Sequence, residues 1–328
     1  MNKKNNRSKI LVCGSLVIDS LFELNGTIRN AVNFKDGKKG KQNLMFTAHE
    51  KEEYFGGTAG NIAYGLGLLG ERPLVASVVG KDFDEYKSHL KHMGAELRIL
   101  MDEKGYTATF YGMSDEIKEQ IGIFQPNAYD RHIESIPLSR LLKSKDWSET
   151  KIAIFAAGTA KSIVRHMKEF KAKALPARTT LDIKGSPCWP LVIFDPGQTL
   201  LATFTNKLLK EAVSLSDMII VNDTEYDYLH NHFGFTLERI FKGKTRYVIE
   251  TKGADGSVLH EKNKKTFVKA LKVKKVVDPT GAGDAYRAGL ISGMLAGKTL
   301  KESMRLGSRL GAECVKSEGG QTYRVAKN

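Results

Sequence analysis

Six short apolar runs recur along the chain, each closed by a glycine or an aspartate: KILVCGS (9–15), PLVASVVG (73–80), KIAIFAAG (151–158), LVIFDPG (191–197), DMIIVND (217–223) and RYVIETKG (246–253). A strand with one wet face alternates apolar and polar residues, whereas near-continuous Val/Ile runs belong to strands covered on both sides. The stretches between them, such as 159–172 and 199–214, carry helical patterns. Repeated strand–helix units of this kind build an α/β fold, a mostly parallel central sheet with helices on both faces.

Two regions leave that rhythm. Residues 21–55 and 97–126 carry polar turn signals, DEKG and SDEIKE among them, with aromatic residues between. They read as antiparallel hairpins, a small β-sheet lid able to close over a site. The expected division is a large domain of 1–20, 56–96 and 127–328 with a lid of 21–55 and 97–126.

The stretch VVDPTGAGDAYRAGL (276–290) sets a glycine-rich turn before an apolar helical run in which Ala285, Ala288, Gly289, Ile291, Ser292 and Leu295 share a packed face. Backbone N–H groups at a helix start attract anions, and Gly281 and Gly283 leave that backbone bare. A P-loop would end in Lys and Ser or Thr, but Asp284 stands here. Its carboxylate either caps the helix or takes the proton of a hydroxyl attacking a bound phosphate.

Other constellations have two readings each. In EYFGGTAGNIAY (53–64), Gly57 admits close backbone approach, and Asn61 is either a cap or a partner for vicinal hydroxyls; Asp19 after the first strand is either a strand-end turn or a partner for the same hydroxyls. Asn222 and Glu225 in NDTE are a helix start with an acidic first turn, or oxygen donors for hydrated Mg²⁺. Thr251 and Gly253 form a tight turn or touch a nucleotide phosphate. Gly65, Gly67 and Gly70 match G-x-G-x-x-G but lie within an apolar helix, where small residues serve packing. His89 and His92 suggest an exposed helix face rather than a metal site.

Lys and Arg number 51 against 37 acidic residues, a net charge of +14, yet the lysines are scattered. The densest clusters, 34–43 and 264–275, are broken by Gly and Asp or alternate like an exposed strand, so a basic surface suited to anionic ligands is expected, and no nucleic-acid partner. Cys13, Cys188 and Cys314 are far apart, without C-x-x-C, which points to no disulfide framework and a reducing, cytoplasmic setting. Asp19 interrupts the apolar run that follows the basic N-terminus, and no segment is long enough to span a membrane.

Taken in order, Asp19, GGTAGN, NDTE, TKG and DPTGAGD resemble the ribokinase-like (PfkB) family of carbohydrate and nucleoside kinases over residues 9 to 325. The resemblance implies ATP and Mg²⁺ as co-substrate and cofactor and leaves a monovalent-cation requirement open. It implies Asp284 as the catalytic base and Gly281, Ala282 and Gly283 as the anion hole. Asn222 and Glu225 would organise Mg²⁺, partly through water, and Thr251 and Gly253 would lie beside ATP. Asp19, Gly57 and Asn61 would meet substrate hydroxyls, and a homodimer through the lid is implied. FDPGQT (194–199), EYFGGTAGNIAY and GAGDAYRAGL are similar to the adenosine-kinase-like branch, whose acceptor is a ribonucleoside; a sugar such as ribose is the alternative. Phe46, Phe110, Tyr111 and Phe124 then either pack the lid or offer a purine a flat slot. Arg287 is bulky for its place and meets phosphate, substrate or a surface partner, and the 175–189 loop matches nothing in the resemblance.

Overall fold

Thirteen strands sort into two sheets in the computed structural model, which describes residues 10–29, 45–174 and 190–325. The strands are β1 (Ile10–Cys13), β2 (Val17–Leu24), β3 (Ala48–Gly56), β4 (Leu74–Gly80), β5 (Glu96–Asp102), β6 (Ala108–Ser114), β7 (Gln120–Gln125), β8 (Ile152–Phe155), β9 (Leu191–Phe194), β10 (Met218–Asn222), β11 (Tyr247–Thr251), β12 (Ser257–Glu261) and β13 (Lys264–Val268). Nine form the large sheet, in the order β13-β12-β11-β10-β9-β8-β1-β4-β5. It is parallel from β5 to β11, with β12 and β13 added antiparallel at one edge.

The apolar runs explain this burial directly. Within β1, Leu11 and Cys13 enter one core cluster while Ile10 and Val12 enter the other, and β8 divides Ala153 and Phe155 from Ile152 and Ile154 in the same way. Successive side chains of a strand point to opposite faces, so each run feeds two cores. Six longer helices cover them: α1 (Thr58–Leu68), α2 (Asp84–His92), α3 (Ala160–Ala174), α4 (Asn206–Leu215), α5 (Ala282–Leu295) and α6 (Leu300–Cys314). Phe170 and Leu209 of α3 and α4 belong to the first cluster; Ile62, Leu290 and Leu310 of α1, α5 and α6 belong to the second.

The small residues of α5 serve contact with α6. A Cβ on Gly289 would stand 2.6 Å from the Leu306 carbonyl oxygen and 2.8 Å from the Gly307 Cα. Backbone on both sides cannot yield as a side chain would, so Gly289→Ala is expected to cost about 1–3 kcal/mol by overpacking. Urea unfolding checks this, and an unchanged midpoint would refute it. The expected packing role of the Gly65 pattern also appears, since a Cβ there would meet Ala288 of α5 at 2.7 Å.

The second sheet has the order β3-β2-β6-β7. Its membership departs from the expected division at two places. Strand β5 pairs in parallel with β4 and so lies in the large sheet, not in the lid that the pattern of 97–126 suggests. Strand β2 enters the lid already at Val17, ahead of residue 21. Hairpin signals mark turns; they do not say which neighbour a strand will pair with. In the 264–275 stretch, only Lys264–Val268 is strand. The 175–189 loop, Cys188 and the 34–43 lysine cluster lie outside the described residues. Among the described residues, no helix is long and apolar enough to cross a membrane.

Candidate active site

The site is built where parallel strands end and α5 begins. Asp278 braces the turn that opens α5: its Oδ1 accepts from the Thr280 N–H and its Oδ2 from the Gly319 N–H, each at 2.8 Å. Gly281 has φ +75°, and a Cβ there would lie 2.6 Å from the Gly320 Cα. Left-handed backbone under such a close approach requires glycine. Of the three N–H groups expected to cradle an anion, that of Ala282 already donates to the Pro279 carbonyl at 3.2 Å. Gly283 is exposed. Of the expected cradle, the Ala282 N–H is thus already engaged within the turn.

Asp284 follows in the first turn of α5 and is partly buried. Its Oδ2 accepts from Asn61 Nδ2 at 2.9 Å, so Asn61 joins the acid across a sequence gap instead of capping its own helix. Burial pushes the Asp284 carboxyl up to about 6, against the pull of the Arg287 cation and the Asn61 hydrogen bond, with Asp195 and Glu225 adding to the rise. Asp19, on β2, is pushed up to about 7 by burial first and then by the charges of Asp278 and Asp284. The negative charges of Asp19 and Asp284 oppose their ionising together. Gly57 begins α1 with φ +82°, where a Cβ would strike the Ser15 carbonyl oxygen at 2.6 Å.

Arg287 is buried, contrary to a surface pairing. Its guanidinium grips Asp195 through Nε and Nη2, the latter 2.6 Å from Oδ1, while Nη1 donates to the Gly283 carbonyl at 2.9 Å. The fork geometry suits arginine and ties the end of β9 to the first turn of α5. Asn222 and Glu225 are engaged with each other: Glu225 N–H donates to Asn222 Oδ1 at 2.7 Å, and the Asn222 N–H and Nδ2 donate to the two carboxylate oxygens at 3.0 Å. That capping box orients a buried carboxylate whose oxygens keep lone pairs, an oxygen-only set matched to a hydrated hard cation. Thr251 ends β11 and its hydroxyl donates to the Val221 carbonyl at 3.4 Å; Gly253, with φ +50°, is exposed in the following turn.

The lid contributes one face. In register across it stand Tyr54, Asp19, Phe110 and Phe124. Directly opposed residues share a face, so Phe110 and Phe124 lie on the side that carries Asp19. Phe110 is half-buried and Phe124 is exposed. Gly112 and Gly122 oppose each other beside them, and a Cβ on either would run into the Phe110 ring at 3.1 or 2.8 Å. Tyr111 points the other way, into a groove of about 620 Å³ lined also by Ser20, Phe22, Asp82, Glu85 and Tyr106. It therefore leaves the aromatic slot expected of it. Phe46 lies outside the strands.

A family model described as pfkB family carbohydrate kinase matches residues 20–326. The chain belongs to that family. Nucleoside kinase of Methanocaldococcus jannaschii is 28% identical over 317 residues, 96% of this chain and 92% of that protein. The crystal structure of the M. jannaschii nucleoside kinase superposes with a TM-score of 0.80 at 26% identity, over 98% of this chain and 96% of that one. The structure of Burkholderia thailandensis nucleoside kinase in complex with inosine gives 0.75 at 29% identity, over 96% and 93%. The fold is thus ribokinase-like, and the protein is a pfkB-family kinase.

Two further residues stand beside the candidate site, Asp195 against Arg287 and Gln321 against Asn61. Asp195 lies in FDPGQT (194–199), but nothing local connects it with Arg287. Gln321 carries no motif at all. His89, expected on an exposed face, sits instead in an aromatic cluster with Phe55, Tyr64 and Tyr86, ring centroids 5.1 to 6.3 Å away.

Proposed function

We propose that this kinase transfers the γ-phosphoryl group of Mg-ATP to the 5′-hydroxyl of a ribonucleoside, adenosine foremost. The observation that carries the acceptor class is the lid face on which Asp19 stands beside Phe110 and Phe124. A carboxylate next to aromatic faces suits a molecule with hydroxyls at one end and a flat base at the other. The inosine named with the B. thailandensis relative supports a purine nucleoside.

In this reading Asp284 accepts the 5′-hydroxyl proton as the oxygen–phosphorus bond forms and the bond to the β-phosphate oxygen breaks, releasing ADP. Gly281 and Gly283 meet the charge on the transferring group with backbone N–H. Glu225 and Asn222 would hold Mg²⁺, which would supply neutralisation of phosphate charge when bound. Thr251 and Gly253 flank the nucleotide. A second copy joined through the lid, as the family resemblance implies, is part of the reading.

The test is a panel of adenosine, guanosine, inosine, cytidine, ribose and fructose 6-phosphate with Mg-ATP, with and without potassium, for the parent and Phe124→Ala. Adenosine is expected to react, and loss of the ring to raise its KM by about 3- to 10-fold, the value of one aromatic contact. Product from ribose or fructose 6-phosphate alone would move the protein to the sugar-kinase reading and return Phe124 to lid packing.

A further inference from the structure

A chain of polar contacts leads away from Asp284 and ends on Gly56, the last residue of lid strand β3. Asn61 Nδ2 donates to Asp284, and Asn61 Oδ1 accepts from Gln321 Nε2 at 3.0 Å. Gln321 Nε2 also donates to the Tyr86 hydroxyl at 2.5 Å, which in turn donates to the Gly56 carbonyl at 2.6 Å. Gln321, Asn61 and Tyr86 are all buried.

The ends of this chain decide every orientation within it. The Gly56 carbonyl only accepts, so the Tyr86 proton goes there and the phenol oxygen must accept from its other neighbour. The Asp284 carboxylate likewise only accepts, so Asn61 presents Nδ2 to it and Oδ1 to the far side. One group therefore has to donate twice, to Tyr86 and to Asn61, and a primary amide does so from a single nitrogen. The Gln321 Oε1 makes no hydrogen bond of good geometry among the described residues and has the His89 imidazole for its polar neighbour, so it is the amide nitrogen that holds Asn61 and Tyr86. Packing holds it in place: a Cβ on Gly320 would meet the Asn61 amide at 2.8 Å, and a Cβ on Gly281 would meet the Gly320 Cα at 2.6 Å.

We infer that Gln321 is a positioning residue, fixing the Asn61 amide so that it donates to the Asp284 carboxylate. This rests on Asp284 being the base. Without Gln321, Asn61 is free to turn its oxygen toward Asp284. With glutamate at 321, two acceptors would face Asn61 and Tyr86, and the amide would be driven to that wrong orientation.

Gln321→Leu and Gln321→Glu test this in the full-length protein, beside Asp284→Asn. Loss of a hydrogen bond to a charged group predicts a fall in kcat of about 10- to 100-fold. The KM for ATP stays within about twofold, because ground-state contacts to ATP are untouched. The acid limb of kcat moves up by about one pH unit, since the lost donor had favoured the ionised form. Groups facing Asp284 are Arg287 on its own helix, Asp195 after β9, Glu225 after β10, Asp19 on β2, Cys314 on α6, Tyr86 on α2 and Tyr323 in the C-terminal segment; all are retained. In an Asn61→Ala background, Gln321→Leu should lower kcat no further.

A parent that turns over, with Asp284→Asn inactive and Gln321→Leu showing full kcat and an unmoved acid limb, would overturn the inference while leaving the base intact. Should the parent phosphorylate nothing in the panel, the substrate reading fails and the relay is read by NMR. The Asn61 side-chain amide resonance, assigned by its loss in Asn61→Ala, should titrate with Asp284, and about one unit higher in Gln321→Leu. An unchanged midpoint would overturn the inference there as well.

Discussion

Asp284→Asn is expected to lower kcat by about 10²–10⁴-fold, the usual worth of a positioned general base. ATP affinity should change little, since asparagine keeps the size and the acceptor for Asn61. Burial pushes the carboxyl up to about 6, so the parent should lose activity as pH falls through that value, where the base becomes protonated. The sign is reversed for stability. A carboxyl raised by the fold is penalised in its charged form above its folded value, so at pH 8 the neutral variant should be no less stable than the parent and unfold at an equal or higher urea concentration. Near-normal turnover in the variant would remove Asp284 from the role of base.

Breaking the Asp195–Arg287 pair should produce the largest loss of stability of any side-chain change in the site. Both partners are buried, 2% and 6% exposed. Asp195→Ala leaves a guanidinium without its anion, and Arg287→Met leaves a carboxylate without its cation; removal of one member of such a pair costs about 3–5 kcal/mol. The double variant should be less destabilised than the sum of the singles, because no lone buried charge remains. Arg287→Met should also slow turnover, since Nη1 holds the Gly283 carbonyl and the cation opposes the rise of the Asp284 carboxyl. Denaturant unfolding of the three variants checks the energies, and a loss below about 1 kcal/mol in both singles would show the pair to be solvent-relaxed, as surface pairs are.

The kinase site was partly legible beforehand. DPTGAGD is contiguous and folds within one turn, so the grouping of Gly281, Gly283 and Asp284 could be read from neighbours in the chain. Asn222 and Glu225 were legible for the same reason, three residues apart on one helix start, although their mutual capping box shows how much of that spacing serves the helix itself. The lid was visible as a change of pattern, but its edge was not. Residues 97–102 and 108–114 carry similar strand signals, and only pairing with β4 or β2 sends the first to the large sheet and the second to the lid.

Local order determined the helices, the buried strands and the glycine turn, because capping, side-chain periodicity and backbone freedom depend on residues a few positions apart. The tertiary structure alone decided that Arg287 grips Asp195 across 92 residues and that Asn61 stands between Asp284 and Gln321, 223 and 260 residues away. Nothing in the spacing of those residues encodes their meeting. Asn61, Asp284 and Gln321 are brought together because the C-terminal segment packs against α1, α2 and the turn that opens α5, and a buried polar group then takes whichever partner the fold delivers.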